Sequence, residues 1–207
     1  VYLWPVKPTL EGYNAVFSHR NVLTGYRNTI FYTLAGTAIN VVVTVLCAYP
    51  LSRRDMPMRG FFMFLFVFTM FFSGGLIPTY LLVYSLGMVN TVWSLLIPGA
   101  MSVYNMIITR TFFQNTVPKE LLEAAQIDGC SDARYFFNIL LPLSQAVISV
   151  IALYYAVGHW NSYFNALIYV RDARLQPLQL ILRSILLSTR VSLNEFEDPD
   201  LLAGKVG

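Results

Sequence analysis

Charged side chains are scarce in this sequence. They make up 12% of its 207 residues, where an ordinary soluble domain carries about 25%. Hydrophobic residues reach 56% and the mean hydropathy is +0.56. From Gly60 to Thr109 no Asp, Glu, Lys, Arg or His occurs in 50 consecutive positions, room for two bilayer crossings of about 20 residues each and a turn. Asn28 to Ser52 is equally uncharged, and Tyr135 to Val170 contains His159 as its single residue of this kind. These gaps exclude a soluble domain. They predict an all-α, polytopic transmembrane bundle, a single domain with spans at roughly 28–51, 61–84, 91–109 and 142–165.

Cysteine is nearly missing too. Cys47 falls within a span and Cys130 in a polar loop where thiols stay reduced, so no disulfide is expected. The sequence lacks G-x-x-x-x-G-K-[ST], so nothing in it is built to bind ATP. It also lacks H-E-x-x-H and G-x-S-x-G, and neither His19 nor His159 has a carboxylate inside any span to work with. A membrane-embedded enzyme is therefore disfavoured; no catalytic residue, metal ligand set or cofactor is expected. The net charge of +3 does not point to nucleic acid, because the basic residues are scattered among loops. Without a signal peptide or initiator Met, and with no complete closing span, the chain reads as a fragment truncated at both ends.

Along the chain, residues 1–27 mix Pro5, Pro8, Gly12 and Gly25 with aromatics, an irregular surface segment in which Tyr2, Trp4, Tyr13 and Phe17 serve as interfacial anchors. Pro50 closes the first span, and Arg53, Arg54, Asp55 and Arg59 follow in a short loop whose basic character marks the cytoplasmic side. Alternation then places the 85–91 turn outside and residues 110–141 inside. The remaining Lys and Arg residues outnumber these on the opposite side, so charge counting alone leaves orientation open. Ser73-Gly74-Gly75 and Pro78 interrupt the second span, as Pro98-Gly99 does the third. Broken backbone at that depth lines a water-filled cavity or is buried in protein; equally, the glycines let helices pack closely. Gly158 to Asn165 gathers His159, Trp160, Asn161, Tyr163 and Asn165 in the outer half of the fourth span, where polar groups are costly. Beyond it, Leu178, Ile181, Leu182, Ile185 and Leu186 recur at helical spacing, predicting an amphipathic helix on the outer surface. Residues 191–207, with Glu195, Glu197, Asp198 and Asp200, read as an external loop.

The one polar, helix-forming passage between the apolar blocks is residues 112–142. Pro118 suits a first helical turn, Lys119 to Asp128 are mostly good helix formers, and Gly129 stops the helix. Ser131 and Asp132 then cap a second short helix, Arg134 to Phe137. Spacing places Leu121, Ala124, Ala125 and Asp128 on one face of the first helix, with Leu122 and Ile127 to the side. Glu123, Ala124, Ala125, Gly129, Ile139, Leu141 and Pro142 together spell E-A-A-x-x-x-G-x(9)-I-x-L-P. This resembles the cytoplasmic EAA loop of the permease subunits of binding-protein-dependent ABC importers. The bland alternative is a solvated helical hairpin with Glu123 as an exposed charge.

The resemblance implies a type I importer permease in the bacterial inner membrane, here without its first and last spans. Its ATPase-coupling residues would be Glu123, Ala124, Ala125, Asp128, Gly129, Leu141 and Pro142. The implied partners are two cytoplasmic ATP-binding subunits, a second permease subunit, identical or homologous, an external solute-binding protein and the lipid bilayer, with ATP hydrolysed on the partners. Pro8-Thr9-Leu10 with Asn14, Gly158-His159-Trp160-Asn161-Ser162-Tyr163 and Leu175-Gln176-Pro177-Leu178-Gln179-Leu180 resemble passages of the carbohydrate and oligosaccharide branch, although Ser162 stands where that branch usually has Asp. A substrate path past Gly74, Gly75, Trp160, Asn161, Tyr163 and Asn165 follows, since sugars need flat aromatic faces and amides. An aromatic belt at the interface accounts for the same cluster. With no charged residue in any span, another neutral polar solute is the alternative cargo.

Overall fold

A computed structural model describes residues 20–197, and among them only helices and connecting turns occur. The anchors expected at Tyr2, Trp4, Tyr13 and Phe17, and Asp198 and Asp200, lie outside the described residues, whereas 20–27, expected to be irregular, and 191–197, expected in a loop, are helical. Helix α1 (Arg20–Ser52) is the axis of the fold. At about 1.5 Å per residue its 33 residues span about 50 Å. It is the one described helix that is, unbroken, long and apolar enough to cross a membrane.

The fifty-residue uncharged stretch does not fold into two straight rods. Helices α2 (Arg59–Phe71) and α3 (Leu76–Ser85) meet at a bend of 112°. Phe72 is extended there, and Gly75 holds φ +83°, ψ −178°, a conformation open essentially to glycine alone. A Cβ on Gly75 would meet nothing within 4 Å, so within this chain the residue serves the bend and not a helix contact. The expected 91–109 segment is likewise split, into the single turn α4 (Trp93–Leu96) and α5 (Val103–Thr116). Pro98 and Gly99 sit in the break, and the Ser102 hydroxyl accepts the Asn105 N–H to restart the helix. α5 therefore runs seven residues past Thr109 into what reads in sequence as loop.

The polar passage forms α6 (Lys119–Ile127) and α7 (Asp132–Tyr135), followed by a π-helical turn (Phe136–Leu140) and α8 (Leu141–Leu143). Pro142 explains the wide turn. It has no N–H for the Asn138 carbonyl and its ring would crowd that oxygen, so the Leu141 N–H reaches back five residues to Phe136. After a 79° bend at Ser144 comes α9 (Gln145–Trp160), then α10 (Phe164–Tyr169), a 3-10 turn (Ala173–Leu175) and α11 (Leu178–Glu197).

α1 packs chiefly on α9 and α5. Val45, Ala48, Leu51, Met106, Phe113, Leu140, Val147 and Ile151 are buried in the main cluster. Several polar groups around it pair across elements. The Tyr155 hydroxyl, on α9, lies 2.6 Å from Thr44 Oγ1 on α1 and accepts the Ser102 N–H at the head of α5. Asn40 Nδ2 donates to the Gly99 carbonyl in the α4–α5 break. The apolar face of α11 buries Leu178 and Ile181 against Val22 of α1, and the Leu178 N–H donates to Thr29 Oγ1. By contrast, α2 has no buried residue.

Candidate functional site: a coupling surface at one end of the bundle

The turn between α6 and α7 is fully accounted for by local chemistry. Pro118, extended at φ −59° and ψ 139°, stands as the residue just before α6 and not within its first turn. At the other end the Cys130 N–H donates to the Ala125 carbonyl and the Gly129 N–H to Gln126, the paired bonds of a Schellman cap. Gly129 has φ +71°, and a Cβ there would meet nothing within 4 Å; backbone strain alone demands glycine. Cys130 and Ala125 belong to one apolar cluster, the contact that accompanies such caps. The Ser131 hydroxyl then accepts the Arg134 N–H and starts α7.

The two adjacent alanines do not share a face. Neighbours on a helix are about 100° apart, and the fold turns Ala125 inward, 7% exposed, with Leu122 beside it. Leu121, Glu123, Ala124, Ile127 and Asp128 are left exposed. Ile127, at 87% exposure, is the residue the spacing argument set aside, and it is the most exposed large apolar side chain described. The signal for it was its apolarity three positions after Ala124 in an otherwise polar stretch. Glu123 makes no hydrogen bond or ion pair among the described residues, and lines a cleft of about 630 Å³ shared with Tyr49, Arg53, Arg54, Arg59 and Gln126.

The facing wall of that cleft is ordered by Arg53. Its guanidinium donates to both oxygens of Asp55, to Asp132 and to the Tyr49 hydroxyl. The Asp55 bonds raise the Arg53 pKa further above its ordinary value and hold the Asp55 carboxyl down at about 2. Burial, with the charge of Arg59 second, lowers Arg110, and burial raises the Tyr135 phenol. Arg110 Nε donates to the Leu51 carbonyl and Gln114 Nε2 to that of Ser52, closing the C-terminal end of α1. Leu141 packs on the core cluster.

At the far end of α9 the expected path residues are only partly assembled. Trp160 and Asn161 line one cleft of about 240 Å³ with Thr33, Ala156 and Val157. The Asn161 amide donates to the Val157 carbonyl of its own helix, leaving its oxygen free to act outward. Tyr163, under the Arg183 guanidinium at 5.2 Å, and exposed Asn165 follow on the next turn outside that lining. Gly74 and Gly75 lie in the α2–α3 bend and line neither cleft. Sequence reasoning missed an inward polar strip on α1. Thr33, Thr37 and Asn40 carry buried side-chain oxygens there, Thr33 beside Ala156 and Val157 of α9, and a Cβ on Gly36 would stand 2.8 Å from Cδ2 of His159.

Residues 40–183 match the model of the binding-protein-dependent transport system inner membrane component family. The chain is 46% identical over 184 residues to Protein LplC of Bacillus subtilis (strain 168), covering 89% of this chain and 62% of that one. It is 45% identical over 185 residues to the polygalacturonan/rhamnogalacturonan transport system permease protein YtcP of the same organism, covering 89% and 64%. A solved structure, that of a bacterial ABC transporter involved in the import of the acidic polysaccharide alginate, superposes with a TM-score of 0.85 at 33% identity, covering 89% of this chain and 65% of that one. The chain thus spans just under two thirds of the length of these relatives. With its helical fold, its EAA elbow and these likenesses, the chain belongs to the inner membrane permease components of binding-protein-dependent ABC importers.

Proposed function

We propose that this permease carries a carbohydrate, an oligosaccharide in particular, inward across the cell membrane and is driven through the α6–α7 elbow. The observation that carries the proposal is the division of α6. Ala125 and Leu122 anchor the helix to the core, while Leu121, Ala124 and Ile127 form an exposed apolar strip flanked by Glu123, which is unpaired among the described residues. An apolar strip with a charged rim is what a protein partner buries. The partner that fits is a cytoplasmic ATP-binding subunit, one of two, acting beside a second permease subunit, with solute delivered by an external binding protein. On this reading the Arg53–Arg59 loop and residues 110–141 are cytoplasmic. An impermeant thiol reagent that labelled Glu120→Cys from outside intact cells would invert the orientation.

The cargo rests on the relatives. YtcP is a polygalacturonan/rhamnogalacturonan permease, and the 26% identical MelC of Bacillus subtilis (strain 168) is a melibiose/raffinose/stachyose import permease. Trp160 and the free Asn161 oxygen supply the stacking face and acceptor a sugar uses. A second reading, an acidic glycan, is favoured by the exposed Arg183 held over Tyr163 and by the alginate importer. Reconstitution with the ATPase and binding protein in proteoliposomes tests both. ATP-dependent uptake is expected for neutral or uronic-acid oligosaccharides and not for amino acids; uptake of amino acids alone would overturn the cargo class.

A further inference from the structure

We infer that the Arg53–Asp132 ion pair is a mechanical tie between the elbow and α1, so that these two positioning residues transmit ATPase movement into the α1–α5–α9 core. The inference rests on the coupling reading of the elbow. Arg53 NH1 to Asp132 Oδ1 is 2.7 Å and joins positions 79 apart in sequence. The Arg53 side chain is only 11% exposed, while Asp132 and Asp55 are 67% and 62% exposed.

The division of labour between the two carboxylates carries the argument. A largely buried guanidinium needs a counter-charge, and Asp55 supplies one from the same loop through a two-point contact, to Nε at 2.8 Å and NH2 at 2.5 Å. Charge balance is therefore met without Asp132. Nor does Asp132 cap its own helix, because Ser131 accepts the Arg134 N–H. What its carboxylate adds is a link from the first turn of α7 to the end of α1. Tyr49 supports the same link: its hydroxyl accepts from Arg53 NH1, and its ring lies 4.9 Å, centroid to centroid, from that of Phe136 in the π-turn. The receiving end is firm, since Arg110 and Gln114 bind the Leu51 and Ser52 carbonyls and join α1 to α5. A displacement of the elbow is thus delivered to the core and not lost in a fraying helix end.

The test uses the complete complex of permeases, ATPases and binding protein in proteoliposomes. Its readout is the ratio of ATPase rates with and without the binding protein as purified from cells. Asp132→Asn should assemble and melt as the parent does, yet lower that ratio about fivefold, the low end for coupling between distant sites. Asp132→Glu should restore most of it, and Arg53→Lys, which keeps the charge but loses the forked contact, should fall between. An unchanged ratio in Asp132→Asn overturns the tie. So does a lower melting temperature or ATPase loss with the ratio per intact complex unchanged, since the pair would then be only structural. A photo-crosslinker at Ile127 in the otherwise unaltered complex reads the underlying assumption separately. No crosslink to the ATPase would retire the coupling surface itself, whereas a crosslink with an unchanged Asp132→Asn ratio would retire the tie alone.

Discussion

The end of α1 and its middle solve the problem of polar atoms in opposite ways. Around Leu51 to Arg53 the carbonyls and the guanidinium are taken up by Arg110, Gln114, Asp55, Asp132 and Tyr49. In the middle, Thr33 Oγ1, Thr37 Oγ1 and Asn40 Oδ1 are buried without a partner among the described residues, and so is His159 Nε2 on the facing helix. An unsatisfied buried polar atom costs about 1–3 kcal/mol. The first region is complete within one chain and can act as a stiff lever. The second is completed only by something beyond the described residues, and water, a solute hydroxyl or a neighbouring subunit would each supply the missing bonds.

The most forceful way to break this comparison is to fill the close approach that holds the middle shut. Gly36 lets α1 lie against the His159 ring, and any side chain there overlaps it. Gly36→Val should destabilise the folded complex by about 1–3 kcal/mol, the usual cost of overpacking, seen as a lower melting temperature in detergent. Pairing it with His159→Ala should recover most of the loss. If the single variant melts normally, the two helices are not in close contact there.

Next comes the coupling end. Because no neighbour obstructs a Cβ at Gly129, Gly129→Val acts through backbone strain, about 1–2 kcal/mol for a left-handed residue and more when β-branched. The elbow angle should change while the core stays intact, so ATPase assembly weakens or hydrolysis runs without import. Gly129→Ala should do the same more mildly. Normal coupling in Gly129→Val would mean that the Schellman turn is dispensable for drive.

A smaller effect is expected at the Trp160 cleft. Since one N–H of the Asn161 amide is already bonded to Val157, its oxygen and second N–H remain for a solute, and Asn161→Ala should cost transport about 0.5–1.5 kcal/mol in apparent affinity. Trp160→Ala removes the stacking face. If both variants lower expression or thermal stability and leave transport per folded complex unchanged, the residues form an interfacial belt.

These outcomes separate what was legible from what was not. The elbow was readable because its signals are local, glycine at a left-handed position and serine at a cap, whereas the π-turn before Pro142 was not read. Which alanine of Glu123-Ala124-Ala125 faces the core was not, because that depends on a cluster that draws Ala125 in with residues of other segments, Phe113, Val117 and Tyr135 among them. The breaks at Phe72–Gly75 and Ile97–Ser102 were marked by Ser73-Gly74-Gly75 and Pro98-Gly99, yet hydropathy gave neither the angle of the bend nor the path beyond it. The Gly36–His159 contact joins residues more than a hundred positions apart, and no pattern within either helix announces it.

The smallest expected effect concerns pH, and it sharpens the stiff-lever side of the comparison. Arg53 holds the Asp55 carboxyl at about 2, below the ordinary value of about 3.9. A depressed carboxylate stabilises the fold in full above its unfolded pKa, and that contribution is lost as pH falls through the folded one. Asp55 is 62% exposed, so solvent screening keeps the contribution to about 1 kcal/mol or less. The melting-temperature gap between the parent and Asp55→Asn should therefore be flat from about pH 8 to about pH 5 and close between about pH 4 and pH 2. A gap that widens on acidification would mean that Asp55 is not the counter-charge of Arg53. Asp132 would then carry that duty, and the tie to the elbow could no longer be cut without unbalancing the arginine.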